Sequence, residues 1–149
     1  MQLMTSHFGL VEFDESKKFF FEEGLPGLED EREFALLSHE QSAPVCWLQS
    51  MVHPEIALPV LNPFLLCPNY SFDITDSDVE ALGIEDEKDV FTINVVVIPK
   101  DPNEMTINLA APIIVNAVNH QAKQIFVSDK RYKIKTKVSE LLDQLNRGE

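Results

Sequence analysis

Apolar, β-branched residues in this chain come in runs of strand length that follow one another too closely to leave room for crossover helices. That spacing constrains the fold more than any other feature. Ser6 to Phe13 begins the strand pattern, and Phe19, Phe20 and Phe21 form a short aromatic run with high strand preference. Glu33 to Ser38, Val45 to Ser50 and Ile56 to Leu61 follow, separated by polar or proline-containing turns. Tyr70 to Ile74 alternates with period two, as a half-buried strand does. Asp89 to Pro99 holds the longest branched run and reads as a central strand; Met105 to Leu109, Ile113 to Ala117 and Gln124 to Ser128 continue the succession. Strands so closely connected pair antiparallel. The expected fold is mostly β, a small antiparallel β-barrel or barrel-like sandwich.

Two helices interrupt the pattern. Ser77-Asp78-Val79-Glu80 has capping-box form, Val79 and Leu82 share a helical face, and Gly83 suits the left-handed position after a helix, which predicts one short internal helix. Val138, Leu141, Leu142 and Leu145 follow the i, i+3, i+4, i+7 spacing of an amphipathic C-terminal helix that ends at Arg147 and Gly148. Its apolar stripe is expected to dock on the barrel, the alternative being a partner. Gly24-Leu25-Pro26-Gly27 marks a turn, without the Lys-Ser/Thr pair or following helix of a phosphate loop. Asn62-Pro63-Phe64 closes a strand, because the residue before a proline is pushed out of helical space. With no linker or repeat, residues 1–149 read as a single domain.

Charge narrows the function. Twenty-five acidic side chains against twelve basic ones give a net charge of −13. Residues 12 to 40 hold ten acids and three bases, residues 73 to 104 ten and two, whereas residues 123 to 137 hold six bases and one acid. Such a chain repels phosphate backbones, and its natural complement is a basic protein; the alternative is a solvated acidic coat. Lys123, Lys130, Arg131, Lys133, Lys135 and Lys137 are the sole candidate for contact with RNA. However, Lys133 to Val138 alternates as an edge strand does, where lysines block strand addition or balance nearby acids. Neither a secretory start nor a membrane-spanning run is apparent, so a soluble cytoplasmic protein that binds no membrane is expected. Cys46 and Cys67 sit in apolar settings and match no metal or redox spacing, which suggests inert thiols in a reducing compartment.

Catalytic motifs are missing. His7, His39, His53 and His120 are scattered, no nucleophile signature occurs, and the abundant carboxylates read as solvated. No catalytic residue, metal ligand or cofactor site is nominated. By contrast, the segment Thr106 to Asn116 breaks a strand-like run with Pro112 and carries amides at Asn108 and Asn116, groups that hydrogen-bond but do not exchange protons near neutrality. The sequence points to recognition. A small hydrolase using scattered carboxylates or a histidine, and an RNA-binding barrel using the basic strip, are the rival readings.

Order and spacing of several segments resemble the flagellar assembly factor FliW family: Gly24-Leu25-Pro26-Gly27-Leu28 followed by Glu33 to Leu37, Leu48-Gln49-Ser50, Asn62-Pro63-Phe64, Tyr70 opening an acidic strand, Glu87 to Val90, and above all Asn108 to Asn116. The resemblance implies a small, mostly antiparallel β-barrel without enzymatic activity; a monomer when free is expected. It also implies two protein partners and no direct contact with nucleic acid. One partner is flagellin; the other is CsrA, a basic dimeric RNA-binding protein that represses translation of flagellin mRNA. Partner contacts are expected from Asn62, Pro63 and Phe64, from Tyr70, Ser71, Asp73 and Asp76, and from Asn108 and Asn116. Ala122 departs from the family pattern where a glycine is expected, which strains or alters a hairpin if that position needs positive φ.

Overall fold

A computed structural model describes residues 1–147. Gly148, expected at the end of the C-terminal helix, lies outside the described residues. The chain opens with a hairpin, β1 (Gln2–Thr5) and β2 (Gly9–Glu12), which forms its own two-stranded sheet. Main-sheet strands follow as β3 (Lys18–Phe21), β4 (Glu33–Ser38), β5 (Cys46–Ser50) and β6 (Ala57–Leu61). After helix α1 (Asp76–Leu82) come β7 (Val90–Val97), β8 (Thr106–Ile107), β9 (Ile113–Asn116), β10 (Gln121–Gln124), β11 (Thr136–Lys137) and helix α2 (Val138–Asn146).

Their order is β11-β8-β7-β6-β5-β4-β3-β10-β9, and β9 pairs back onto β7, so that seven strands, β3 to β7 with β9 and β10, close a barrel. Closure is uneven. β4 and β5 share five residue pairs, Phe34↔Ser50 to Ser38↔Cys46, whereas β6 and β7 share only Val60↔Val95 and Leu61↔Asn94. Every pairing is antiparallel except β10 with β3, where Gln121 and Ala122 run parallel to Phe20 and Phe21. This one parallel pair within a mostly antiparallel barrel arises where a late strand closes the ring beside the first.

β7 explains the longest branched run in the sequence, because both of its faces are covered. Phe91, Ile93 and Val95 point into the barrel with Phe19, Phe21, Phe34, Leu48, Val60 and Ile113. Val96 faces a second core outside it, built from Tyr70, Ile107, Leu109, Tyr132 and, from α2, Val138 and Leu141. The C-terminal helix thus docks on its own domain. A third cluster, Leu82, Ile114 and Ile125 with Val90 against it, lies under α1.

Several local expectations shift. Ser6 to Phe13 is not one strand: the chain reverses at Thr5, whose hydroxyl donates to Gly9 O at 2.9 Å and accepts from Phe8 N–H at 2.9 Å. The turn then carries His7 and Phe8 onto Trp47, with centroid separations of 5.9 and 5.6 Å, while Phe8 stacks on His39 at 5.0 Å. Tyr70 to Ile74 has no ladder partner and is no strand. β10 lies at Gln121–Gln124 rather than Gln124 to Ser128; beyond it Ile125 and Val127 N–H donate to Pro112 O and Ala110 O, but Pro112 has no N–H to return. The edge strand expected over Lys133 to Val138 shrinks to Thr136–Lys137 beside β8, with Val138 already opening α2.

The turn at Gly24 is under steric compulsion. Its φ is +67°, and a Cβ there would lie 2.5 Å from Glu29 O, a backbone atom that cannot swing aside. Ala122, by contrast, sits in β10 and is buried; the positive φ of that loop, 64°, belongs to His120, whose Nδ1 lies 2.8 Å from Lys18 O and whose ring stacks on Phe19. The missing glycine has no structural consequence at Ala122. Cys46 and Cys67 are free and half-buried, each flanking one of the two larger cores.

Candidate functional site

A groove of about 860 Å³ opens where the β6–β7 seam ends. β6 leaves the sheet at Asn62, whose side-chain carbonyl accepts from Phe64 N–H at 2.9 Å and so caps a 3-10 turn over Pro63–Leu65. Proline supplies the fixed φ of the first turn position and is itself buried, which leaves Phe64 42% exposed on the groove rim. The chain then crosses the groove as Tyr70 to Ile74. Asn62, Phe64, Tyr70, Ser71 and Asp73, nominated from sequence, all line this one cavity.

Tyr70 anchors that crossing. Its hydroxyl donates to Leu109 O at 2.6 Å and accepts from Asn94 Nδ2 at 3.3 Å, while Asn94 Nδ2 also donates to Asn108 O at 2.8 Å. Burial pushes the phenol up to about 12, with the Asn94 hydrogen bond opposing. Its ring meets Tyr132 edge-on at 4.7 Å and tilts against Phe72 at 5.2 Å and Phe64 at 5.9 Å. Tyr132 in turn accepts from Ser71 N–H at 3.1 Å. Tyr70 presents its ring to the groove and keeps its hydroxyl inside.

The opposite wall is α1. Thr75, not Ser77, caps it, accepting from Asp78 N–H at 3.1 Å, and Gly83 closes it in the left-handed conformation with φ 63°. Asp76 and Asp78 occupy its first turn, where carboxylates complement the helix dipole. Lys123 on β10 donates to Asp78 at 2.7 Å; this bond holds the Asp78 carboxyl below the usual range and raises the Lys123 ammonium. At the other end, Asn116 Nδ2 donates to Leu82 O at 2.9 Å and Gly83 O at 3.3 Å, and Asn119 Nδ2 to Leu82 O at 2.8 Å, satisfying carbonyls that a helix end leaves open.

These contacts correct one nomination and place another outside the groove. Asn116 is buried, and its carbonyl also accepts from Val118 N–H and Asn119 N–H, so all of its amide groups are engaged inside the domain. Asn108 lies apart from the groove; its side chain accepts from Ala110 N–H, and it lines a separate recess of about 280 Å³ beside Leu25 and Phe126. Pro63 shapes the rim from beneath. Asp76 is exposed on the first turn of the α1 wall.

Sequence reading missed much of the lining, including Phe72, Val79, Ile84 and the four consecutive residues Val90 to Ile93. Their apolar character was visible, but their gathering depends on the seam opening. Also missed was Glu31, buried away from the groove, which accepts from Ser50 Oγ at 2.5 Å and contacts His53 Nδ1. Nothing sets Glu31 apart among the acids around it. Here the serine hydroxyl points to the carboxylate rather than to an imidazole and is fully buried, so no Ser-His relay is assembled.

The charges around the groove are one-sided. Asp73 and Glu87 are among the lining residues, which include no lysine or arginine, and both carboxylates are exposed. Half of the basic strip is engaged: Arg131 with Asp129 at 2.7 Å, Lys137 with Glu104 at 3.3 Å, Lys123 with Asp78. Among the described residues, no three histidine, cysteine or carboxylate side chains come together as a metal site would require, and no helix is long and apolar enough to cross a membrane.

Comparison with known proteins places the geometry. The family model described as FliW protein matches residues 2–138. A flagellar assembly factor FliW of Thermoanaerobacter pseudethanolicus is 38% identical over 143 residues, 95% of each chain. One of Pseudothermotoga lettingae is 39% identical over 137 residues, covering 91% of this chain and 87% of the relative, and one of Clostridium tetani is 37% identical over 135 residues, with coverages of 91% and 93%. A crystal structure of the flagellar assembly factor FliW superimposes with a TM-score of 0.84 at 31% identity, over 93% of this chain and 96% of the other. With its closed seven-strand barrel, its two helices and relatives matched over nearly their whole length, the chain belongs to the FliW family.

Proposed function

We propose that this chain acts without chemistry of its own, as a cytoplasmic flagellar assembly factor that occupies two protein partners: flagellin and the basic translational regulator CsrA. Free flagellin displaces CsrA from it, and released CsrA silences flagellin mRNA. Family membership supports the flagellar role. The observation that carries the reading to a site is the groove, in which Asn62, Phe64, Tyr70, Ser71 and Asp73 meet under an acidic rim. Apolar rings there supply buried contact area, and the acids select a basic partner and speed its approach.

Fluorescence titration of purified CsrA and of flagellin against this chain, followed by competition between them, tests the reading. Each exposed ion pair contributes only about 0.2 to 1 kcal/mol, so replacing Asp73 and Asp76 by lysine weakens CsrA binding by roughly an order of magnitude, while the domain stays folded with its melt lowered by no more than a few degrees for the lost helix-dipole contact of Asp76. Association with CsrA slows as salt rises, because the screening length falls from about 10 Å at 0.1 M to about 3 Å at 1 M. Failure to bind either protein defeats the proposal; unchanged affinity in the double variant moves the CsrA site elsewhere.

A further inference from the structure

β7 has an unpaired edge, and that edge is the floor of the groove. In an antiparallel ladder alternate residues turn their N–H and C=O to opposite sides. Asp89 O accepts from Ala117 N–H at 2.9 Å in the register that pairs Phe91 with Val115 and Ile93 with Ile113, so odd-numbered residues face β9. Even-numbered residues face the β6 side, where Asn94 pairs with Leu61. Before Asn94, however, β6 has already turned away at Asn62. Val90 N–H is used by Glu87 O, which leaves Val90 C=O and both the N–H and C=O of Thr92 without a hydrogen-bond partner among the described residues. A groove lying against one face of a strand would expose alternate residues. This one is lined by Val90, Phe91, Thr92 and Ile93 in succession, as a groove abutting the edge must be.

We propose that the groove takes an extended, cationic segment of a partner protein as an added β-strand, hydrogen-bonded to Thr92 N–H and C=O and to Val90 C=O. Strand addition satisfies donors and acceptors that a docked helix, with its main chain bonded internally, cannot reach. The length is set by the gap: four residues of strand span about 13 Å, room for a short peptide stretch and not for a sheet. Asp73 and Glu87 flank it with no opposing base in the lining, so lysine or arginine on one face of the added strand is complementary, while apolar side chains on the other enter among Tyr70, Phe72 and Ile84. This deepens the proposed function and rests on its assignment of partner binding to the groove.

The test uses the full chain labelled with nitrogen-15 and the peptide acetyl-Val-Lys-Val-Lys-Val-amide at low salt. Binding slows hydrogen exchange of the Thr92 amide at least tenfold and leaves Phe91 and Ile93, already held by β9, as they were. Two analogues N-methylated on one or the other set of alternate residues keep charge and side chains; the one whose methyl groups meet the edge binds at least tenfold more weakly, the other like the parent. Absence of binding, an unchanged Thr92 amide, equal affinity of both analogues, or self-association through Thr92 without peptide overturns strand addition. Repeating the exchange measurement with CsrA and flagellin separates the two proposals. Either protein binding without protection of Thr92 removes the added strand and leaves the function, whereas peptide addition with neither protein bound removes the function and leaves the strand site.

Discussion

Among single residues, Tyr70 does the most to fix the groove, since one buried hydroxyl joins the crossing segment to Leu109 and Asn94. Tyr70→Phe leaves Leu109 O without its 2.6 Å donor and should cost about 1 to 3 kcal/mol, read as a lower urea midpoint with an unchanged slope. The same phenol gives a pH signature. Folded, it titrates at about 12 against an ordinary 10.0, so between those values the unfolded chain loses a proton that the native chain keeps. Its contribution is therefore complete below pH 10 and is lost as pH rises through 12; in Tyr70→Phe that loss is absent from the alkaline melting profile. Tyr70 and Asn62 were legible in their local setting, because an aromatic at an alternating segment and an amide before a proline each imply local geometry. Asn108 and Asn116 were not, since an amide announces that it will hydrogen-bond and is silent about its partner. Glu31 has no signal at all in the sequence: its partners Ser50 and His53 lie across a turn the chain reaches only later.

At the level of elements, α1 is a wall held at both ends by side chains from β9, β10 and the loop between them. Asp78→Asn removes the charge from the Lys123 contact, a bond of the kind worth about 1.5 to 3 kcal/mol, and is expected to speed amide exchange at Val79 to Leu82 while that of β4 and β5 stays slow. Because the Asp78 carboxyl is held below its ordinary value of 3.8, this stabilisation is present above that pH and disappears as pH falls through the folded value. The helix itself was readable from sequence, but its start was displaced by two residues, since Thr75-Asp76-Ser77-Asp78 and Ser77-Asp78-Val79-Glu80 both have capping form and only packing chooses between them. Glu33–Ser38 emerged with its expected bounds because it pairs with β5 from Phe34 to Ser38 and with β3 from Glu33 to Ala35. Tyr70 to Ile74 alternates for a different reason: Tyr70 and Phe72 turn into one core while Ser71 and Asp73 face water, without any neighbouring strand.

For the whole molecule, close spacing of short strands sufficed to foresee a small barrel, because hairpin-length connections leave few ways to bury so many branched residues. The parallel contact between β3 and β10, and the seam that stays open below Leu61, were out of reach, since both are set by how the ring closes rather than by any local run. The N-terminal hairpin stands outside that ring, tied by Ser6 N–H to Pro54 O at 2.9 Å and by its rings on Trp47 and His39. A chain beginning at Asp14 should accordingly keep its cooperative melt, displaced downward by a few degrees for the loss of aromatic pairs worth about 0.5 to 1.5 kcal/mol each. Trp47 is the single tryptophan of the protein, and the hairpin is its lid. The molecule consequently carries its own lamp: emission reddens when the hairpin lifts, so release of one small flap can be watched by colour alone while the barrel behind it stays shut.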